Sequence, residues 1–490
     1  MRPRVVVIGA GLGGLAAAIE AAHGGAEVTI LEALDRPGGK AGVETRDGVS
    51  FDTGPSLLTL PEIAWGLLDR VPGGRDRLRL VRPRPAFRYR YPDRVELDVF
   101  IELEETLAGV ERVLGRGARH ELADFLTYAR RIWEAAAPPF LFGPAPSFRR
   151  ALGLDELRAL AQIDPLRSMN AAIRAQVREP HLVALLQRYA TYNGSDVRSA
   201  PATLNCIAHV ELALGGFGVE GGVGALVLAL VATATDLGVT LRCGLPARRL
   251  LAAGGRVCGV ETDEGLLPAE AVVVNADPAH LARDLLPAAH RAAVVPAPEP
   301  SMSAWTGVFQ ARRQAHRAAH TVVFPLNYEA EFVDLFDEGR PPRQPTVYAS
   351  AQSVAHNRPA WPDHEPLFVM INAPAEPVQG RSDPARSAGL ADLARGRLVE
   401  AGLLDPQDRL LWERDAAGLA AQFPGSRGAI YGAASNSRFA AFQRPANRCD
   451  KLPGLYLASG GAHPGGGMPL VMQSGRLAAA ALLEDLGATP

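Results

Sequence analysis

Gly9-Ala10-Gly11-Leu12-Gly13-Gly14 sets Gly9, Gly11 and Gly14 in the G-x-G-x-x-G spacing, and a carboxylate, Glu32, follows about 20 residues later. Residues of these types at this spacing do one kind of chemistry: they hold a dinucleotide. Gly9 permits a tight turn, Gly11 lets the backbone approach a pyrophosphate, and Gly14 lets the next helix close onto its strand. Leu12 and Gly13 lie within the turn, and the helix that follows has first N–H groups free to face a phosphate. Glu32 is placed to accept from ribose hydroxyls. An acid there repels a 2′-phosphate, so NADP is not expected.

The continuation Asp35-Arg36-Pro37-Gly38-Gly39-Lys40 favours FAD over NAD. Gly38 and Gly39 let the chain run close to a cofactor into Lys40, and Arg36 can reach a phosphate or ribose oxygen. Asp52-Thr53-Gly54-Pro55-Ser56 reads alone as a turn, and after the two preceding motifs as a third cofactor segment. Asn275-Ala276-Asp277-Pro278 ends an apolar run and is equally consistent with a strand-ending turn, since Asn, Asp and Pro all suit that place. The far end of the chain carries Gly454 to Pro469, a strand followed by a glycine-dense loop and a helix from Leu470 to Leu483. Backbone amides there can approach a cofactor through Gly461, Gly467 and Met468.

The elements that must position these residues follow from periodicity. Arg4 to Ile8 is a β-branched run of the kind that makes a buried parallel strand; Leu15 to His23 is helix-compatible, and Ala26 to Leu31 is a second strand. Together they form a βαβ unit. Helical stretches follow at Glu102 to Leu114, Glu121 to Ala136 and His181 to Tyr189, and the α/β texture returns with a helix at Ala225 to Leu237 and strands at Val239 to Leu241, Arg256 to Glu261 and Ala271 to Val274. At 490 residues the chain exceeds one ordinary core. The expected organisation is α/β: a Rossmann-like, discontinuous FAD-binding domain of residues 1–80, 215–290 and 445–490, and a mixed α+β substrate lobe of residues 81–214 and 291–444 with a helical part. A net charge of −2 leaves no footprint for nucleic acid. Cys206, Cys243, Cys258 and Cys449 lack zinc-ligand spacing, so no metal is expected, and the absence of a leader before the first strand fits a reducing cytoplasm. The longest apolar run, Gly224 to Ala234, falls short of the roughly 18 residues of a membrane span and reads as a core helix.

Beyond these readings the sequence resembles the amine-oxidase and carotenoid-desaturase group of two-domain flavoproteins. Asp35 to Lys40 is similar to the group's second FAD-contacting loop, and Asp52 to Ser56 to the segment that runs beneath the flavin. Gly-x-His-Pro-Gly-x-Gly-x-Pro from Gly461 to Pro469, without the acid that many flavoproteins carry after the glycines, resembles the signature of bacterial phytoene-desaturase-type carotenoid desaturases. Arg188 to Ser195, Ala200 to Ala202 and Gly216 to Gly222 are also similar to that family. Ser301 to Trp305, Pro345 to Gln352 and Phe423 to Gly432 look most like desaturases of 1-hydroxylated acyclic carotenoids, which form a 3,4 double bond.

The resemblance implies FAD, an acyclic carotenoid substrate, hydride transfer to the flavin with loss of a proton from the neighbouring carbon, and oxygen or a quinone as electron acceptor. It implies peripheral contact with the inner face of the cell membrane through an apolar, membrane-facing surface of the helical lobe. No residue type at a telling spacing identifies a general base. His463, Glu220 and Asp52 are candidates only by their place in flavin-like motifs, and His463 equally suits a loop-bonding role. Arg188, Tyr189 and Tyr192 read as substrate-lobe residues or as core. The other readings open to the sequence are a phytoene or neurosporene desaturase, a redox-neutral carotenoid cis–trans isomerase, a flavin amine oxidase and a non-catalytic carotenoid carrier.

Overall fold

The computed structural model describes residues 2–146, 162–377, 387–437 and 439–487. The β-branched run at the start forms the middle of a five-stranded parallel sheet, in the order Leu455–Leu457, Ala271–Val274, Arg4–Ile8, Glu27–Leu31, Thr240–Arg242. Strands from the two ends of the chain thus lie one strand apart. The helix Leu12–His23 covers one face, held between Val223–Asp236 and the C-terminal helix Met468–Asp485. Small residues allow this: a Cβ on Gly475 would stand 2.2 Å from the carbonyl oxygen of Gly13 and 2.8 Å from the Ala16 side chain. The run Leu226 to Val231 belongs to this core, with Leu226 and Leu230 fully buried, although Leu228 projects to solvent. On the opposite face an antiparallel meander, Ala247–Ala253, Arg256–Thr262 and Gly265–Pro268, packs through Leu250, Val257 and Val260.

The second large sheet has seven strands, in the order Arg409–Arg414, Ser303–Arg312, His364–Ala373, Val347–Ala351, His320–Val323, Phe87–Arg90, Glu96–Val99. Its last two strands are a hairpin just ahead of the stretches that periodicity assigns to helices. Phe-Arg-Tyr-Arg alternates apolar and charged residues, a period-two pattern easily overlooked beside the long helices that follow it. The helices Leu103–Leu114, Arg116–Ala136, Met169–Gln176 and Pro180–Gln187 share one apolar core with Phe87 and Tyr89 of the hairpin. A smaller hairpin, Val43–Arg46 with Val49–Asp52, turns at Asp47-Gly48 and delivers Asp52 to the junction of the two sheets. Among the described residues no helix is long and apolar enough to cross a membrane.

Candidate functional site

Gly9 sits at φ +98°, a backbone conformation that side chains rarely adopt, and its N–H donates to the carbonyl of Leu31 at 2.7 Å. The turn therefore locks the first strand to the second. Gly14 has no room for a side chain, since its Cβ would lie 2.0 Å from the Gly9 carbonyl oxygen. Glu32 is buried, and its two carboxylate oxygens accept from the N–H groups of Ala10 (2.6 Å) and Leu34 (2.9 Å). The acid that the spacing assigns to a ribose thus also holds the loop. Asn275 reaches across to the same turn: its side-chain amide donates to the carbonyl of Ala458, and its Oδ1 occupies the space beside Gly11.

The second loop lies on the first, with Gly38 N–H donating to the Ala10 carbonyl at 2.9 Å. Arg36, half-exposed, pairs with Glu44 at 2.6 Å at the rim of the loop. Lys40 turns inward, its Nζ donating to the carbonyls of Ala429 (2.8 Å) and Ile430 (3.2 Å). Burial pushes its pKa down to about 8, with Asp277 opposing and Arg414 reinforcing the fall. Gly54 passes under this loop, and a Cβ there would lie 2.1 Å from the Lys40 carbonyl oxygen.

Asp52 is wholly engaged. Its carboxylate accepts from the N–H groups of Val223 (2.8 Å) and Gly224 (3.1 Å), capping the helix Val223–Asp236, and pairs with Arg358 at 2.8 Å. Gln352 grips its backbone with both ends of one amide: Oε1 accepts from Asp52 N–H at 2.9 Å and Nε2 donates to its carbonyl at 2.8 Å. Asp52 is thus built as an anchor, which leaves it poorly placed to act as a base. Glu220 lies on the surface, 4.0 Å from Arg79, and does not join the group. His463 is buried and donates from Nε2 to the Gly143 carbonyl at 3.0 Å. Burial lowers its pKa to about 4, which keeps it neutral.

In the C-terminal loop, Gly461 and Gly466 are required by protein contacts, with Cβ positions 2.5 Å from Pro278 and 2.3 Å from the Tyr431 carbonyl oxygen. Gly467, at φ +107°, is different: a Cβ would stand in open space where Met468 begins the C-terminal helix. Ser459, at the head of the loop, has a buried Oγ without a partner.

Register alone makes neighbours of four further side chains, of which only Tyr348 lies in a stretch, Pro345 to Gln352, that the sequence singled out. Arg414, Thr306, Met370 and Tyr348 stand side by side across four strands of the seven-stranded sheet and are all half-buried. The same row continues into Val322, Tyr89 and Leu97, which are fully buried. This sheet face packs on Phe51, next to Asp52, through Val308 and Phe368. At one end of the row a cavity of ≈ 110 Å³ lies between Gly39, Gly42 and Thr53 of the loops and Trp412, Arg414 and Gln422. Midway, the phenol oxygen of Tyr348 is 2.7 Å from Ser56 Oγ and 2.8 Å from His320 Nδ1.

Arg188, Tyr189 and Tyr192 belong to a buried polar cluster. Arg188 donates to the hydroxyls of Tyr89 (3.1 Å) and Tyr192 (2.9 Å), and Glu211 accepts from Tyr189 (3.0 Å) and Tyr192 (2.5 Å). Two of the three fragments that resembled 1-hydroxycarotenoid desaturases meet close by, beside Gly194: Ser301 Oγ accepts from Tyr431 N–H at 3.0 Å, Met302 N–H donates to the Gly194 carbonyl at 3.0 Å, and Ile430 N–H donates to the Met302 carbonyl at 3.2 Å.

The residues present fit FAD. The glycine turn, the N-terminus of Leu12–His23 and Glu32 suit a pyrophosphate and ribose, while the open face of Gly467, the unpartnered Ser459 hydroxyl and Gly54 under Lys40 leave a cradle for the rest. Comparison with known proteins gives the same answer. Residues 12–483 match the family described as flavin containing amine oxidoreductase. The chain is 35% identical over 98% of both chains to hydroxyneurosporene desaturase of Rhodobacter capsulatus, and 29% identical, over 97% of this chain and 98% of the other, to 1-hydroxycarotenoid 3,4-desaturase of Flavobacterium sp.. The crystal structure of an oxidoreductase from Methanosarcina mazei shares the fold with a TM-score of 0.66 at 18% identity, covering 98% of this chain and all of the other.

Proposed function

This chain belongs to the flavin containing amine oxidoreductase family and is an FAD-dependent oxidoreductase related along its whole length to carotenoid desaturases; from that premise we propose that it desaturates an acyclic carotenoid, specifically by forming the 3,4 double bond of a 1-hydroxylated chain. FAD supplies the hydride-accepting chemistry. The chain's own residues hold the cofactor, exclude water and orient the polyene. On this reading the cofactor contacts are Gly9, Gly11, Leu12, Gly13, Gly14, Glu32, Arg36, Gly38, Gly39, Lys40, Gly54, Pro55, Ser56, Asn275, Gly461, Gly467 and Met468, and the discontinuous division into flavin domain and substrate lobe goes with it.

One observation carries the choice between desaturase and amine oxidase. Two basic side chains, Lys40 and Arg414, stand where the loops meet the half-buried row, Lys40 held by the Ala429 and Ile430 carbonyls with Asp277 near it and Arg414 lining the cavity with Glu44. An ammonium substrate needs an acceptor for its charge in a buried site, and an uncharged polyene needs none. The row beyond them, Thr306, Met370 and Tyr348, offers one thioether and two hydroxyls and no carboxylate to receive an amine.

The proposal includes a surface contact with the membrane on its cytoplasmic side, which a lipid-borne substrate requires, and a quinone or oxygen as acceptor. An apolar surface cavity of ≈ 330 Å³ among Leu60, Trp65, Leu80, Leu214 and Phe217 supports a contact of that kind. The test supplies FAD-loaded protein in liposomes with a 1-hydroxylated acyclic carotenoid and, separately, with phytoene. Loss of two hydrogens with a red shift from the hydroxylated chain is the expected result. Desaturation of phytoene instead assigns an earlier step, and isomerisation without net oxidation refutes the desaturase reading.

A further inference from the structure

A 3,4-desaturation of a 1-hydroxylated chain fixes where the hydroxyl must be. The oxygen on C1 is three single bonds of about 1.5 Å from C3, so it lies within about 4 Å of a reacting carbon. Whatever receives that hydroxyl therefore sits beside the cofactor, and a remote polar cluster such as Arg188 with Glu211 is not at issue.

Only one half-buried group in the described row both faces the segment Asp52 to Ser56 and bears a hydroxyl bonded to it. Tyr348 is that group, 2.7 Å from Ser56 Oγ. Its other partner decides its polarity. His320 is fully buried, and burial, with His356 and Arg188 near, pulls its pKa well below the ordinary value, so the imidazole is neutral. Its ring is held against Phe87, centroids 4.8 Å apart, and its Nδ1 is 2.8 Å from the phenol oxygen. In the tautomer proposed here Nε2, which has no partner among the described residues, carries the proton and Nδ1 accepts; Tyr348 then donates its only proton to His320 and its oxygen is an acceptor. Ser56 fills part of that capacity, and one lone pair remains.

Resting on the desaturase reading above, we propose that the Tyr348 hydroxyl, oriented by His320 and shared with Ser56, accepts the hydrogen bond of the substrate's C1 hydroxyl and so determines specificity for hydroxylated over hydrocarbon chain ends. Tyr348 is the residue that touches substrate, and His320 is a positioning residue that acts through it. No bond is made or broken by this step. The consequence is discrimination: a buried hydroxyl without its partner is costly, so a site built around it favours the chain that carries one.

The experiment measures kcat/KM, per bound FAD, for two carotenoids of equal length differing only in the presence of the C1 hydroxyl, in wild type and in Tyr348→Phe. Wild type is expected to prefer the hydroxylated chain. Tyr348→Phe is expected to lower that preference about tenfold, the loss of one neutral hydrogen bond, chiefly through KM of the hydroxylated substrate. A merely structural role lowers both substrates alike and overturns the assignment. Where Tyr348→Phe does not fold, the C1 methyl ether serves with the wild-type enzyme: able to accept but not donate, it should behave as the hydrocarbon, and behaviour like the alcohol overturns the proposal. If the hydroxylated chain is desaturated without preference, this inference fails alone; if neither carotenoid loses hydrogen, the desaturase reading fails and takes it along.

Discussion

Replacing Asp52 by alanine tests whether it is an anchor or a base. The change strands Arg358, whose side chain is only 7% exposed and which loses a partner at 2.8 Å. Removing one member of a buried ion pair costs about 3–5 kcal/mol, because the survivor keeps its desolvation penalty. The N–H groups of Val223 and Gly224 also lose their acceptor, worth about 1 kcal/mol as a lost helix cap. The sum, about 4–6 kcal/mol, should lower Tm by roughly 5 °C in a chain of this size and reduce FAD retention, read by differential scanning fluorimetry of flavin and tryptophan. Asp52→Ala/Arg358→Met removes the stranded charge and should recover most of the ion-pair part. A double variant no more stable than the single one would refute the reasoning. So would Asp52→Asn that melts like wild type with full FAD yet turns over about 10²-fold more slowly, since that loss belongs to a general base.

Two pH dependences follow from burial. The folded pKa of His463, about 4, lies below its ordinary 6.5, so between those values the unfolded chain binds more protons and stability falls as pH drops, by about 3 kcal/mol at the acid end. Urea unfolding from pH 7 to 4 should show this slope in wild type and a shallower one in His463→Gln. The depressed pKa of Lys40 places the corresponding window between about 8 and 10.5, where stability should rise with pH as the buried ammonium deprotonates. In FAD-free protein, Lys40→Met should lack that rise, and an equal rise in both proteins would count against a charged, desolvated Lys40.

How much could be read from the sequence depends on how local each constraint is. The glycine turn with Glu32, the first strand and helix, and the strand Ala271–Val274 were legible because neighbouring residues impose their backbone needs within one short stretch. The hairpin Phe87–Val99 was missed, for four alternating residues carry little weight beside helices of 12 and 21 residues. Gln352 and Arg358 gave no sign of holding Asp52, being 300 and more positions away, although Gln352 ended a stretch that family resemblance had singled out. Arg36 pairs with Glu44 on the adjoining hairpin, a partner that no local pattern announced.

The glycines themselves carry a lesson about what such motifs record. Gly11 has φ −71° and ψ 174°, values any residue adopts, so its backbone does not require glycine. What excludes a side chain is Asn275, whose Oδ1 would stand 2.5 Å from a Cβ on Gly11, with no other group so near. Part of the motif is therefore dictated by the protein and only part by the cofactor. Gly11→Ala should cost several-fold in FAD affinity by displacing Asn275 from its bond to Ala458. In an Asn275→Ala background the same Gly11→Ala change should add much less, since the steric partner is gone while the loss of that bond is already present. Titration of the four proteins with FAD by fluorescence quenching measures the coupling directly. If Gly11→Ala is equally damaging in both backgrounds, the space beside Gly11 is reserved for FAD alone, and the role assigned here to Asn275 is wrong.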